Sequence, residues 1–182
     1  DKGISEIENL DELIDDLLSA SKLEINFDSS KFIDIDLVDF IEKFIAKNQI
    51  FIEATNFKIN YESKIKEYFI KGDKKDLESV FSNILSNAAK YSPDSSEINI
   101  TSIEKDGKIL IQIRDFGIGV NSNQLEKIFD PFYRTDDSRN RKTGGNGLGL
   151  SIVRKIIDNH NGKIWAELPN DGKSGLIINI FI

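Results

Sequence analysis

Several residue types are scarce or missing from this sequence, and each absence excludes a class of function. The chain of 182 residues contains no cysteine, one histidine (His160) and three prolines. The lack of cysteine excludes disulfides, thiolate zinc sites and a cysteine nucleophile, and a single imidazole excludes every site that needs two. No apolar run approaches the roughly 18 residues that a membrane-spanning helix needs. We also expect no signal peptide, because Asp1-Lys2-Gly3 does not begin a charged-then-apolar pattern.

The composition that remains is typical of one folded domain. Hydrophobic residues make up 39% of the chain and charged residues 30%, which is enough apolar material for a core. The formal net charge of −7 argues against nucleic-acid binding. Methionine is absent and the chain begins at Asp1. We therefore expect part of a longer, cytoplasmic protein, whose remainder could carry a membrane anchor.

Residues 4–18 have the pattern of an amphipathic helix. Apolar side chains recur there in steps of three and four, at Ile4, Ile7, Leu10, Ile14, Leu17 and Leu18. Two interpretations stay open. The stripe either packs on its own domain or forms half of a helical hairpin or coiled coil, whose partner lies upstream or on another chain.

Hydrophobic periodicity after residue 30 predicts alternating strands and helices. The predicted strands lie at residues 32–35, Lys58–Tyr61, Glu67–Ile70, Glu97–Ile103, Ile109–Arg114, Lys163–Glu167 and Leu176–Phe181. The predicted helices lie at residues 37–45, from an N-cap at Asp73 to Tyr91, and from Leu148 to Asn159. A hairpin turn is expected at Lys105–Lys108. We expect an α+β fold, a two-layer α/β sandwich whose helices cover one face of a mixed, mostly antiparallel sheet.

Four segments carry residues suited to nucleotide chemistry. In the long helix, Asn83, Asn87 and Lys90 are spaced to share one polar face, where an amide oxygen can ligate Mg²⁺ and a lysine can hold a phosphate. The segment Asp115-Phe116-Gly117-Ile118-Gly119 follows a strand, and its carboxylate could accept a hydrogen bond from an exocyclic amine. Taken alone, the first is equally an ordinary amphipathic helix and the second an ordinary strand-ending turn.

The other two segments flank a basic loop. Aromatic residues at 128–134 precede a polar, basic stretch up to Thr143, which suits a lid or a solvated surface loop. Glycines at 144–149 lead directly into a helix, as in an anion site at a helix N-terminus or in a plain hinge. Neither a Walker A loop nor a dinucleotide fingerprint fits this spacing.

Together the four segments resemble the catalytic, ATP-binding domain of sensor histidine kinases, within the GHKL superfamily and its Bergerat fold. The matching stretches are the N box (Asn83–Tyr91), the first glycine box (Asp115–Gly119), the F box (Phe129–Phe132) and the second glycine box (Gly145–Gly149). The resemblance implies a catalytic domain at residues 25–182. It also implies that residues 1–24 are the end of a dimerisation and phosphoacceptor hairpin.

The resemblance implies a role for each site residue. Asn87 would ligate Mg²⁺, with Asn83 near its water shell, and Lys90 would reach the phosphates of ATP. Tyr91 would flank the ribose or base. Asp115 would read the adenine amine, in a pocket shaped by the first glycine box. The remaining candidates would wrap or steady the phosphates or line the pocket: Gly117, Ile118, Gly119, Phe132, Arg134, Arg139, Gly145, Gly147, Leu148 and Gly149. Asn146 stands where the family often has Ser or Thr, and asparagine is an equally good helix cap.

The phosphoacceptor of such a kinase is a histidine on an upstream helix. His160 falls instead at a predicted helix C-terminus, where a histidine commonly caps carbonyls or packs. We therefore expect a domain that binds ATP and Mg²⁺ but cannot phosphorylate itself. The implied partners are its own dimerisation domain, a second copy in the full-length protein and a response-regulator receiver domain.

Two other functions remain open at this point. A GHKL ATPase carries a glutamate four residues before the metal-binding asparagine, where this chain has Asn83, which cannot act as a general base. A nucleotide-gated interaction module would keep the ATP motifs but lack the phosphoacceptor histidine upstream.

Overall fold

The computed structural model describes residues 28–49, 57–93, 96–135 and 146–182. The helices are α1 (Leu37–Lys47), α2 (Lys74–Tyr91) and α3 (Gly149–Asn159). The strands are β1 (Ile33–Asp36), β2 (Lys58–Ser63), β3 (Phe69–Gly72), β4 (Glu97–Lys105), β5 (Lys108–Arg114), β6 (Lys163–Glu167) and β7 (Ile177–Phe181). Short 3₁₀ turns lie at Ser29–Lys31, Ser122–Gln124 and Lys127–Phe129. The predicted N-terminal helix and the proposed boundary at residue 24 fall outside the described residues.

The strands form one large and one small sheet. The large sheet has five strands in the order β2-β4-β5-β7-β6, and only the β2–β4 pair within it is parallel. β1 and β3 form a separate antiparallel pair, with Ile35 opposite Ile70. The prediction of a mixed, mostly antiparallel sheet is therefore confirmed, and so is the hairpin turn, which lies between β4 and β5 at Asp106 and Gly107.

Alternation along the strands separates the two faces of the large sheet. Ile109, Ile111 and Ile113 are buried against the helical layer, together with Ile178 and Ile180 of β7. The residues between them form the other face, where the Gln112 side chain donates a hydrogen bond to Asn179 Oδ1 at 2.7 Å. This period of two is the reason that the strands were readable from the sequence.

The long helix α2 has the predicted limits. The Asp73 carboxylate Oδ1 accepts hydrogen bonds from the backbone N–H groups of Lys75 (2.7 Å) and Asp76 (3.4 Å), so Asp73 is the N-cap. The helix ends at Tyr91, before Ser92 and Pro93. Its buried side is apolar and includes Leu77, Val80, Phe81, Ile84 and Ala88, which leaves its polar side for a site.

Two local predictions differ from the structure. β3 lies two residues later than expected, because its position is set by pairing with β1 rather than by its own pattern. Asn146 does not cap α3: the N-cap position is Leu148, which has helical backbone angles and no side-chain cap. The chain turns first at Gly147, with φ of 73°, and the Gly147 carbonyl accepts a hydrogen bond from Phe132 N at 2.9 Å. Asn146 therefore precedes this turn, and no side-chain cap is present at the start of α3.

None of the helices within the described ranges is both long enough and apolar enough to cross a bilayer.

Candidate functional site

A cavity of about 160 Å³ lies between α2, the end of β5, the start of α3 and residues 133–135. Most of the residues selected from the sequence line it together: Asn83, Asn87, Lys90, Tyr91, Asp115, Ile118, Gly119, Arg134, Gly147 and Gly149. These residues come from segments separated by up to 66 positions in the chain, so their convergence is a property of the fold.

Three other selected residues lie beside the cavity rather than on its wall. Gly117 is buried behind it, where an added Cβ would stand 2.5 Å from the Tyr91 carbonyl oxygen. Leu148 is 3% exposed and belongs to the core. Phe132 is 58% exposed and is not among the residues that line the cavity. Arg139 and Gly145 fall outside the described residues.

Asp115 is the acidic group of the cavity. It follows the last residue of β5, and its Oδ1 accepts hydrogen bonds from Gly117 N at 2.9 Å and Leu176 N at 3.1 Å. Burial raises the pKa of this carboxyl above its ordinary value, and the two backbone donors oppose that shift. A half-buried carboxylate with one oxygen fixed by the backbone is suited to receive a hydrogen bond from a ligand donor at the other oxygen.

The loop before β7 closes against Asp115 at Gly175. Its φ is 125°, and an added Cβ would overlap the Asp115 carbonyl oxygen. Both the backbone angle and the close approach therefore require glycine at this position. The Asp115 N–H also donates to the Leu176 carbonyl at 3.0 Å, so Asp115 and Leu176 are linked through main chain and side chain.

The polar side of α2 forms the opposite wall. The Asn83 amide nitrogen donates to the Ser79 carbonyl at 2.9 Å, which fixes the direction of its oxygen. That oxygen faces Gly149 at the start of α3, and an added Cβ there would stand only 2.7 Å from it. Asn87 and Lys90 continue along the same side of α2, where both line the cavity.

Sequence reasoning missed several lining residues, among them Leu176 and Tyr133. Leu176 reaches the site because β7 pairs with β5, which places Ile177 opposite Arg114 and Leu176 beside Asp115. A sequence shows that two strands exist but not that they are neighbours, so this contact had no local signal. Tyr133 had one, since it lies between Phe132 and Arg134 in a segment already selected.

The lone histidine lies away from the cavity. His160 is the C-cap residue of α3, is 6% exposed, and its Nδ1 lies 2.8 Å from the Ile156 carbonyl oxygen. The prediction that it caps or packs at a helix end is confirmed.

Solved structures share this fold. The catalytic domain of the histidine kinase ThkA is 28% identical with a TM-score of 0.69, over 83% of this chain and 95% of that one. Full-length ShkA in complex with AMPPNP is 20% identical with a TM-score of 0.80, over 99% of this chain and 37% of that one, and at this identity it shows the fold alone. The architecture is therefore that of histidine kinase catalytic domains.

The sequence comparisons agree with the structural ones. The family model for histidine kinase-, DNA gyrase B- and HSP90-like ATPases matches residues 72–181. The sensor protein kinase WalK of Staphylococcus aureus is 37% identical over 177 residues, covering 96% of this chain and 42% of that relative. For the WalK of strain JH9 the covered share of the relative is 29%.

The chain belongs to the histidine kinase-, DNA gyrase B- and HSP90-like ATPase family, and within it to the ATP-binding domains of sensor histidine kinases. It spans less than half the length of the WalK relatives.

Proposed function

We propose that this chain is the catalytic part of a sensor histidine kinase, which binds MgATP and delivers the γ-phosphate to a histidine on a dimerisation domain. The main support for this proposal is that the carboxylate of Asp115, at the end of β5, and the polar side of α2 line the same cavity. A carboxylate at one end and amides with a lysine at the other match the two ends of ATP. The competing functions would use the same nucleotide site, so the side chain at position 83 and the phosphotransfer test below distinguish them.

The Asp115 end is suited to adenine. Its Oδ1 is held by Gly117 N and Leu176 N, so the proposed contact with the adenine amino group falls to Oδ2. Apolar neighbours surround the place where a planar base would lie, including Ile113, Ile118 and Leu176. A flat apolar slot with one fixed acceptor selects a base that carries an exocyclic amine.

The α2 end is suited to Mg²⁺ and phosphates. Among the described residues, no group of three or more histidine, aspartate or glutamate side chains is placed so that it could bind a metal by itself. Mg²⁺ in this family of sites would instead take few protein ligands, with phosphate oxygens and waters completing its shell. Asn87 supplies an uncharged oxygen donor on the cavity wall, and Lys90 a cation beside it. The donor set therefore fits a magnesium ion that arrives with its nucleotide.

Phosphoryl transfer needs mainly positioning and stabilisation of charge. When bound, Mg²⁺ would neutralise charge on the phosphates. Lys90 and Arg134 add positive charge at the same end, and the N-terminus of α3 directs its amides toward it at Gly149. We assign Arg139 and Gly145 to the same task on the strength of the sequence resemblance alone.

Hydrolysis is disfavoured by the side chain at position 83. An amide cannot activate water as a general base, and the Asn83 amide is already engaged with Ser79. The site would therefore hold ATP without rapid loss of its γ-phosphate until an acceptor histidine is presented.

The partners follow from the same proposal. The acceptor histidine and the second protomer would come from a dimerisation domain, and a response-regulator receiver domain would take the phosphoryl group. One solved neighbour is the histidine kinase ThkA in complex with the response regulator protein TrrA. The proposed location is the cytoplasm, where ATP is available.

Phosphotransfer in trans tests the proposal. The chain is incubated with Mg²⁺, γ-labelled ATP and a separate dimerisation domain that bears a phosphoacceptor histidine. We expect acid-labile, alkali-stable label on that domain, and no label with Asn87→Ala. Asn170→Ala is the matched control, because Asn170 is exposed and lies off the cavity wall. Free phosphate without labelled histidine would favour the ATPase, and nucleotide binding without either product would favour the interaction module.

A further inference from the structure

We propose that His160 is a positioning residue for nucleotide binding: a neutral imidazole that ties the far ends of α2 and α3 together, and whose protonation weakens ATP binding. This proposal rests on the proposed function, because it concerns how the same cavity is held in shape.

His160 contacts three parts of the fold through three different surfaces of its ring. Nδ1 lies 2.8 Å from the Ile156 carbonyl at the end of α3, and Nε2 lies 3.1 Å from the backbone nitrogen of Asp73. The ring stacks on Phe32, with centroids 4.5 Å apart and planes 23° from parallel. Gly72 closes over the imidazole, since an added Cβ there would stand 3.0 Å from its Nε2 and Cδ2 atoms.

These contacts define the tautomer. A backbone N–H can only donate, so Nε2 must accept from Asp73 and carry no proton. The Ile156 carbonyl can only accept, so Nδ1 must carry the proton and donate. The structure is therefore consistent with the neutral Nδ1–H form, and protonation at Nε2 would oppose two N–H groups and break the contact with Asp73.

The Asp73 contact lies at the N-cap of α2, the helix that carries Asn83, Asn87 and Lys90. α3 runs from Gly149, on the cavity wall, to His160, a rise of about 16 Å at 1.5 Å per residue. The two helices pack against each other, with Asn83 touching Gly149 at the cavity and Asp73 meeting His160 at the opposite end. Loosening one end changes the spacing at the other, because close-packed helices move as rigid bodies.

Charged groups from several elements lie around the imidazole. Asp73 and Asp76 are carboxylates at the start of α2, and Lys31 precedes β1. Asp158 and Lys108 lie beside the C-terminus of α3. Asp76 interacts electrostatically with His160 and is partly buried, and its pKa is raised by desolvation and by Asp73. A protonated imidazole would be drawn toward Asp76 and away from its present acceptor role. Histidine is the side chain whose charge ordinarily changes between about pH 5 and 8, so pH in that range is the variable that tests this exchange.

The single histidine makes the test direct, because every imidazole signal in the chain belongs to His160. NMR of the imidazole nitrogens in the whole chain at pH 8 is expected to show the Nδ1–H tautomer. ATP affinity, measured by calorimetry from pH 8 to pH 5.5, is expected to fall about tenfold with a midpoint equal to that of the imidazole titration. The proposal is overturned if NMR shows the Nε2–H tautomer, or if the pH profile of ATP affinity lacks a midpoint that matches the imidazole titration.

Two substitutions separate positioning from mere stability. In His160→Gln the amide oxygen can replace Nε2 as acceptor for Asp73 N–H, but the amide cannot titrate. The ATP affinity of this variant at pH 8 should therefore stay within about threefold of the wild-type affinity, and its pH profile should lack the midpoint that belongs to the imidazole. His160→Leu keeps bulk without an acceptor and should bind about tenfold more weakly, equivalent to about 1.4 kcal/mol. ATP itself and carboxyls such as Asp115 also contribute to the pH profile, so the wild-type profile is compared with that of His160→Gln, which keeps those contributions and loses that of the imidazole.

Glu62→Gln serves as the control, since it removes an exposed carboxylate from β2, at the opposite edge of the large sheet from β6, and should change neither midpoint nor affinity. If His160→Leu fails to fold, the wild-type tautomer and pH profile still decide. Wild-type protein that binds no ATP at any pH would overturn the proposed function, whereas ATP binding with identical wild-type and His160→Gln profiles would overturn this proposal alone.

Discussion

At the Asp115 end of the cavity the backbone sets the shape, whereas at the α2 end side chains do. Gly117 N and Leu176 N fix the Asp115 carboxylate, and the Gly175 main chain closes against it. At the other end, the Asn83 amide meets Gly149 through a side chain that can turn once it gives up its hydrogen bond to Ser79. The first end cannot change shape without disturbing the sheet, but the second can adapt to phosphates and metal at little cost to folding.

The largest effect is expected from a substitution that disrupts the backbone at the Asp115 end of the cavity. Gly175→Ala would place a Cβ on the Asp115 carbonyl oxygen at φ of 125°, so we expect the free energy of unfolding to fall by about 3 kcal/mol and ATP binding to be lost. Urea unfolding measures the first and calorimetry the second. Gly172→Ala is the control, because Gly172 has φ of 76° but no atom within 4 Å of an added Cβ. Gly172→Ala should lower the free energy of unfolding by about 1 kcal/mol. Equal losses at the two positions would show that the close approach of Gly175 to the Asp115 carbonyl oxygen is unimportant.

The next largest effect is expected from a substitution that changes the Asp115 atom facing the ligand and keeps the backbone hydrogen bonds around it. Asp115→Asn keeps an oxygen for Gly117 N and Leu176 N but turns a donor toward the proposed adenine amine. ATP affinity should fall about 100-fold, equivalent to about 2.7 kcal/mol. The melting temperature at pH 7.5 should not fall, because the variant no longer buries a charge. A variant that melted early would mean that the lost affinity reflects damage to the fold.

A smaller effect is expected at the end built from side chains. Gly149→Ala crowds Asn83 Oδ1, which can rotate away only if the Asn83 amide gives up its hydrogen bond to the Ser79 carbonyl, worth about 0.5–1.5 kcal/mol. Alanine favours the helix by about 0.5–1 kcal/mol, which offsets that loss. The free energy of unfolding should therefore be unchanged within about 0.5 kcal/mol, while Mg-ATP affinity falls about tenfold because Asn83 is displaced. The effect should vanish in an Asn83→Ala background. If it persists there, Gly149 acts through something other than Asn83.

The smallest effect concerns pH. The pKa of Asp115 is raised in the fold above its ordinary value, so the ionised carboxylate opposes folding. That penalty is relieved as pH falls through the raised pKa toward the ordinary value. The stability advantage of Asp115→Asn over wild type should therefore shrink as pH is lowered into this window. Urea unfolding of both proteins at pH 7.5 and near pH 4 measures the difference. An advantage that grew on acidification would mean that the carboxylate is stabilised by its surroundings.

Local signals account for the elements that were predicted correctly. The alternating isoleucines of β5 and the Asp73 cap of α2 are both determined by neighbours in sequence. The contact of Leu176 with Asp115 depends on which strand adjoins β5, and the start of α3 depends on a turn at Gly147 that Phe132 braces. These are long-range contacts, which explains why Leu176 was missed and why Asn146 was wrongly expected to cap.

The site itself was predicted from resemblance more than from pattern. Asn83 and Asn87 are visible as one face of a helix, but nothing local to α2 indicates that Asp115 faces them across a cavity. Only the order of the four motifs, matched to a known family, brought them together.

The most direct test of the central claim is calorimetric titration with ATP, with and without Mg²⁺, of the wild type, Asp115→Asn and Asn87→Ala. If Asp115 holds the base and Asn87 the metal, the first substitution lowers affinity equally in both conditions. The second should abolish the gain that Mg²⁺ brings and leave Mg-free affinity nearly unchanged. A Mg²⁺ gain that survives in Asn87→Ala but disappears in Asp115→Asn would contradict the assigned orientation of ATP, and the absence of binding by wild type would contradict the account as a whole.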